Sequence, residues 1–112
     1  MDKSISIKFA PNLIILIKNG AKTFTYRLGN KFDFLSVGDV INVADNDSKD
    51  FAEVTIVEKS KTIFKDIPLD RIGHEAYTSE EAKKALFEQY YGREVDPQEP
   101  VIVLGFKINR FF

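Results

Sequence analysis

Alternation of polar and apolar residues marks the beginning of the chain, where residues 4–9 have the sequence Ser-Ile-Ser-Ile-Lys-Phe. A period of two predicts a half-buried β-strand. Similar patterns or short apolar runs, each bounded by turn residues, predict further strands at 22–28, 40–43, 51–58 and 101–108. The last of these is almost wholly apolar, which is typical of a central, buried strand.

A short helix is predicted after the first strand. Pro11 occupies a position that the first helical turn tolerates, and Asn19-Gly20 supplies a left-handed stop. Between these signals lie the apolar residues Leu13, Ile14, Leu16 and Ile17. The spacing of start and stop predicts about two helical turns.

A second helix is predicted near the end of the chain. Thr78-Ser79-Glu80-Glu81 fits a capping box, in which Thr78 accepts from a free amide and Glu81 reaches back. Ala82, Ala85, Leu86 and Tyr90 follow at helical spacing. Gly92 is the expected helix end.

About five strands with separate helices predict an α+β fold, most economically a small β-barrel of five to six strands with flanking short helices. The 112 residues suit one domain, 1–112, and 44% hydrophobic residues are enough to form one core. The chain has no Cys and no long apolar stretch, so we expect a protein of the reducing cytoplasm without a membrane span.

The net charge of −1 is unevenly distributed. Residues 1–31 carry six Lys or Arg against one acidic residue, whereas residues 66–99 carry nine Asp or Glu against four basic residues. A basic segment of this kind is suited to an anionic ligand, but it is equally consistent with a solvated surface.

Several common sites are missing from the sequence. It has no phosphate-binding Gly-x-x-x-x-Gly-Lys loop and no dinucleotide fingerprint. Asp45-x-Asp47-x-x-Asp50 has neither the glycine nor the closing glutamate of a calcium loop. His74 is the only imidazole. We therefore expect no metal site and no organic cofactor.

The most informative stretch is residues 20–27, Gly-Ala-Lys-Thr-Phe-Thr-Tyr-Arg. It resembles the signature of ASCH domains, roughly Gly-x-Lys-Thr-x-Thr-x-Arg after a short apolar helix, in a family related to PUA-like RNA-binding barrels. Val37-Gly38-Asp39, Gly73-His74-Glu75, the second helix and the final strand follow in the family's order. The resemblance implies a PUA-like fold with a cleft for a nucleoside or RNA.

Within this family, the spacing is similar to that of small amidohydrolases that deacetylate N(4)-acetylcytidine. The resemblance implies Lys22, Thr25 and Glu75 as catalytic residues, with Arg27 as a ligand-binding residue. A Thr hydroxyl needs a base to become a nucleophile, and a Lys serves when burial keeps it neutral. Strict strand alternation puts Lys22 and Thr25 on opposite faces, so Lys22 is expected to act from the preceding turn or from a bulge.

Other candidates for ligand contact are Thr23, within the motif, and the loop aromatics Phe32 and Phe34, which offer stacking faces for a base. Tyr26 and Tyr90 are predicted to belong to the core. The expected partner is a modified nucleoside or RNA, with no membrane and no metal, bound by a monomer or weak dimer.

Three alternatives stay open from the sequence. The first is a non-catalytic RNA-binding module in which the basic segment contacts phosphates. The second is a ribonuclease, which the absence of a His pair disfavours. The third is a protein-interaction module, which predicts a large exposed apolar patch instead of a polar cleft.

Overall fold

The computed structural model describes residues 6–70 and 76–112. Within these ranges the chain forms five strands, two α-helices and one short 3₁₀ turn. In chain order they are β1 (Ser6–Lys8), α1 (Pro11–Lys18), β2 (Phe24–Leu28), β3 (Val40–Ala44), β4 (Asp50–Ile63), the 3₁₀ turn Phe64–Asp66, α2 (Glu80–Tyr91) and β5 (Pro100–Phe111).

The strands form one mixed sheet in the order β1-β3-β4-β5-β2. Strand β1 runs parallel to β3, and the other neighbours are antiparallel. The α+β class is confirmed, but the predicted closed barrel is wrong, because β1 and β2 are edge strands. Helix α1 begins at Pro11, with two residues between it and the end of β1 at Lys8. On the outer edge of β2, Leu28 N donates to the Tyr91 hydroxyl at 3.1 Å instead of to a strand.

The longest strand, β4, extends beyond the predicted segment 51–58 because its second half pairs with β5 as far as Ile63–Pro100. Its register against β5 shifts between Glu53 and Val54 and again between Ile56 and Glu58. Such bulges bend and twist a strand. The sheet therefore curls and brings its two edges toward each other.

The two faces of the sheet carry separate cores. Along β5, Ile102, Leu104 and Phe106 belong to one cluster, and Val101 and Val103 belong to the other. The first cluster includes Leu13 and Ile17 of α1, and the second includes Phe87 of α2. The helices therefore cover opposite faces, as expected for a small sheet that is apolar on both sides.

The predicted helix ends are largely confirmed. Helix α1 ends at Lys18 before Gly20, whose φ of 84° is left-handed, and α2 ends at Tyr91 before Gly92, whose φ is 68°. The capping prediction is one residue early, because Ser79 and not Thr78 caps α2 by accepting from Ala82 N at 3.0 Å. Lys83 and Phe87 are the buried residues of this helix, whereas the predicted Ala85 is exposed.

Candidate functional site

A cavity of about 640 Å³ lies where the edges of the sheet approach each other. Its wall comes from β1, the first turn of α1, the start of β2, the β3–β4 turn and α2. The lining residues are Lys8, Phe9, Ala10, Asn12, Leu13, Lys22, Thr25, Tyr26, Arg27, Asn46, Tyr77, Leu86, Phe87, Gln89, Tyr90 and Tyr91. This volume lies within the range of small-molecule sites.

Lys22 reaches the cavity from the turn that follows α1. Gly20 reverses the chain, Ala21 N donates to Asn19 Oδ1 at 2.9 Å, and Lys22 N donates to Leu16 O at 3.0 Å. Because β2 begins only at Phe24, strand alternation does not fix the direction of Lys22. Its side chain is 2% exposed, and Nζ lies 6.0 Å from the centroid of the Phe9 ring.

Thr25 and Arg27 lie on one face of β2, two residues apart. Thr25 is 4% exposed, and its Oγ1 accepts from Arg27 Nε at 3.0 Å. The intervening Tyr26 points to the opposite face, where it belongs to the cluster around α2. The alternation of β2 therefore places the hydroxyl and the guanidinium side by side in the cavity.

The guanidinium of Arg27 also joins the two edges of the sheet. Arg27 Nη2 donates to Lys8 O at 2.9 Å, and Arg27 Cζ lies 4.7 Å from the centroid of the Phe9 ring. The planar guanidinium suits both contacts, since it donates in a fixed geometry and stacks on aromatic faces. Arg27 is thus held in place by β1, β2 and the residue after β1.

Aromatic residues form the wall on the α2 side. The Tyr91 ring is parallel to that of Phe87, with an interplanar angle of 7° and 6.4 Å between centroids, and its hydroxyl accepts from Leu28 N. Tyr77 is buried and lies against Phe87 at 6.1 Å. Tyr26 is buried as predicted, but Tyr90 is 43% exposed and lines the cavity, so its predicted place in the core is wrong.

A buried lysine fixes the position of α2. Lys83 is fully buried, and its Nζ donates to Phe64 O at 3.2 Å and Ile67 O at 2.9 Å. It also forms an ion pair with Glu80 at 2.8 Å. The carbonyls belong to the 3₁₀ turn after β4 and to the residue that follows this turn, so Lys83 holds the aromatic wall of the cavity on the sheet.

The structure brings Lys22, Thr25 and Arg27 together at the cavity but places the other ligand candidates elsewhere. Phe32 is buried in the α1-side core, and Phe34 is 48% exposed outside the lining. Thr23 is half-buried, and its carbonyl accepts from Phe106 N at 2.9 Å. Glu75 and His74 lie outside the described residues, so the position of Glu75 stays a prediction.

Several lining residues were missed by the sequence analysis, notably Lys8, Asn12, Asn46 and Gln89. For Asn46 the sequence carries a signal, because Asp45-Asn46-Asp47-Ser48 is a run of turn-forming residues between two predicted strands. Asp45 Oδ1 accepts from Asp47 N and Lys49 N, both at 2.9 Å, and so fixes this turn. Lys8 and Gln89 could not be predicted from local sequence, since only the tertiary fold brings β1 and α2 next to the motif at residues 20–27.

The described lining is positively charged. It contains Lys8, Lys22 and Arg27, and within 6–70 and 76–112 it includes no Asp or Glu. The same described ranges contain no group of three or more His, Cys, Asp or Glu arranged to hold a metal ion. No helix in them is long and apolar enough to cross a membrane.

No protein-family model matches the chain, and no curated protein gives a significant match. Solved structures do resemble it. An ASCH domain from Lactobacillus crispatus JV V101 aligns over 94% of this chain and 80% of its own, with 19% identity and a TM-score of 0.61. A DUF984 protein from Enterococcus faecalis V583 aligns over 97% and 77%, with 13% identity and a TM-score of 0.72.

A single-residue variant of the ASCH protein of Zymomonas mobilis aligns over 95% of this chain and 68% of its own, with 16% identity and a TM-score of 0.63. At such identities the likeness concerns the fold. The chain therefore has the fold of ASCH domains, as the motif at residues 20–27 predicted.

Proposed function

We propose that this protein is an amidohydrolase that removes the acyl group from an N-acylated cytidine, with N(4)-acetylcytidine as the representative substrate. Thr25 is the nucleophile, Lys22 is its base, Glu75 orients Lys22, and Arg27 holds the ligand. This assignment combines the motif resemblance with the placement of Lys22, Thr25 and Arg27 in one cavity. It requires neither a metal nor an organic cofactor.

The observation that carries the proposal is the hydrogen bond from Arg27 Nε to Thr25 Oγ1 at 3.0 Å. A hydroxyl has one proton and two acceptor positions. Because the guanidinium occupies an acceptor position, the Thr25 proton is directed to another partner. A neighbouring cation also stabilises the negative charge that develops on the oxygen. Lys22, 2% exposed at the same cavity, has the burial under which a lysine acts as a neutral base.

The reaction divides into two steps. In the first, the Lys22 amine takes the Thr25 proton while Oγ1 bonds to the acyl carbonyl carbon. The carbon–nitrogen bond then breaks, and the cytidine amine leaves with the proton from Lys22. In the second, Lys22 takes a proton from water, whose oxygen attacks the acyl ester on Thr25. The carboxylic acid leaves, and the Thr25 hydroxyl regains its proton.

A second function is favoured by the charge of the described lining. A cavity with three cationic residues and aromatic walls also suits a reader that binds RNA without reacting with it. This function predicts RNA affinity that falls steeply with salt and no release of cytidine.

Chromatographic detection of cytidine from N(4)-acetylcytidine tests the first function. We expect turnover by the wild type, loss of at least about a hundredfold in Thr25→Ala, and a similar loss in Lys22→Met. Thr62→Ala is the matched control, because Thr62 lies on β4 outside the cavity lining. Absence of turnover by the wild type, with salt-dependent RNA binding, would favour the reader.

A further inference from the structure

The ring of Phe9 contacts two cations of the motif at residues 20–27. Phe9 directly follows β1, is 2% exposed and lines the cavity. Arg27 Cζ lies 4.7 Å from the centroid of this ring, and Lys22 Nζ lies 6.0 Å from the same centroid. At such distances the negative face of an aromatic ring attracts a cation. The proposed reaction assigns no role to Phe9.

The Phe9 ring belongs to the packed core. Phe9 N donates to Ala44 O at 2.9 Å, which ties its backbone to β3. The ring lies against that of Phe106 on β5, with 6.2 Å between centroids and an interplanar angle of 53°. Both rings are members of the α1-side cluster. Because side chains in a close-packed core keep defined rotamers, the ring under Arg27 has a fixed position.

The guanidinium of Arg27 lies between this ring and the proposed nucleophile. Arg27 Nη2 donates to Lys8 O at 2.9 Å, and Arg27 Nε donates to Thr25 Oγ1 at 3.0 Å. A guanidinium is planar, and its donors point in fixed directions within that plane. The ring that sets the tilt of the plane therefore also sets the direction of Nε toward Thr25 Oγ1.

We propose that Phe9 is a positioning residue for this reaction: its ring holds the Arg27 guanidinium in the orientation that directs Nε to the Thr25 hydroxyl. The inference rests on the proposed function for the reaction, whereas the contact between Phe9 and Arg27 stands without it. Small misplacements of reacting groups cost much of the rate in a preorganised site. Weakening the attraction between the ring and the guanidinium is therefore expected to slow the reaction.

Fluorinated phenylalanines at position 9 test this role with little change in packing. Each added fluorine withdraws electron density from the ring face and weakens its attraction for a cation, while the shape of the ring is nearly kept. Mono-, di- and trifluorophenylalanine are incorporated in turn, and kcat/KM is measured for N(4)-acetylcytidine. We expect a stepwise fall that reaches about tenfold with the trifluoro ring, as loss of one cation–ring contact provides.

The same fluorinated series at Phe106 is the matched control. Phe106 is buried in the same cluster and lies outside the cavity lining. None of the cation–ring contacts of the described residues involves its ring. Fluorination at this position therefore reports the effect of the fluorines on packing alone, and we expect kcat/KM to stay within about twofold of the wild type.

A second measurement needs no turnover. Exchange of the Arg27 Nε proton with solvent is followed by NMR in protein that contains isotopically labelled arginine. The hydrogen bond to Thr25 Oγ1 slows this exchange in the wild type. Fluorination of Phe9 is expected to accelerate it stepwise, and fluorination of Phe106 is expected to leave it unchanged.

The outcomes separate this inference from the proposed function. A stepwise fall in kcat/KM with faster Arg27 exchange, both confined to the Phe9 series, supports it. Equal effects in the two series overturn it, and so does unchanged kcat/KM or unchanged Arg27 exchange in the Phe9 series of an active enzyme. A wild type without turnover overturns the proposed function alone. In that protein, accelerated exchange supports the hold of Phe9 on Arg27, and unchanged exchange overturns it.

Discussion

Arg27 donates from Nη2 to the carbonyl oxygen of Lys8 at 2.9 Å, which joins the two edge strands of an open sheet. The same side chain donates from Nε to Thr25 Oγ1. Arg27 therefore both connects the two edge strands and contacts the proposed nucleophile. A loss of this guanidinium is expected to affect stability and chemistry together.

The first prediction concerns Arg27→Lys, which keeps the positive charge but loses the separate Nε and Nη2 donors of the guanidinium. The variant cannot reach Thr25 Oγ1 and Lys8 O together, so we expect the free energy of unfolding to fall by about 1–2 kcal/mol. Urea denaturation measures this change. Wild-type stability in Arg27→Lys would show that the contact between the edge strands contributes nothing.

The second prediction concerns Lys83. Lys83→Ala leaves the Phe64 and Ile67 carbonyls without their donor and opens a cavity, so we expect a loss of about 3 kcal/mol in the free energy of unfolding. Lys84→Ala is the control, because Lys84 is exposed and its ion pair with Glu88 spans 3.9 Å. A surface pair of this kind contributes about 0.5 kcal/mol. Similar losses in the two variants would contradict the anchoring role of Lys83.

The third prediction concerns the hydroxyl of Tyr91, which accepts from Leu28 N on the edge of β2. Tyr91→Phe removes this acceptor, so the Leu28 amide is expected to exchange with solvent faster, with a stability loss of about 1 kcal/mol. Hydrogen exchange followed by NMR reports the Leu28 amide directly. Tyr90→Phe, the adjacent tyrosine, should leave it unchanged, and unchanged exchange in Tyr91→Phe would exclude the contact.

The fourth prediction concerns pH and the segment after α2. The Arg93 guanidinium donates to Glu99 and lowers the pKa of that carboxyl below its usual value of 4.5. Because the folded pKa is the lower one, the stabilisation is complete above about pH 4.5 and is lost as pH falls through the folded pKa. Glu99→Gln should therefore be less stable than the wild type at pH 7, and the difference should shrink at pH 3. A difference independent of pH would contradict this role of the pair.

Local patterns predicted the position of every described strand and both helices, but not the full lengths of β4 and β5. Residues 59–62 are Lys-Ser-Lys-Thr, which have no apolar alternation, and their strand form comes from pairing with β5. The burial of Lys83 could not be predicted from the sequence either, because a lysine on a helix usually faces solvent. Only the fold brings the carbonyls that it contacts close to its ammonium group.

The candidate site was predictable only in part, for similar reasons. The two-residue spacing of Thr25 and Arg27 places them on one strand face from the sequence alone. Lys22 needed the left-handed turn at Gly20 to reach the same cavity, and strand alternation alone does not decide between such a turn and a bulge. The contact between Arg27 and Lys8 joins strands that are separated by a helix, and no local rule relates them.

The most direct test of the central claim is a search for an acyl group on Thr25 during the reaction. The wild type is mixed with N(4)-acetylcytidine, quenched in acid after one turnover and digested with trypsin, which cleaves after Lys22 and Arg27. Fragmentation of the peptide 23–27 by mass spectrometry is predicted to place one acetyl group on Thr25 and none on Thr23. Release of cytidine by an enzyme that never carries an acetyl group at Thr25, or by Thr25→Ala at the wild-type rate, would contradict the account.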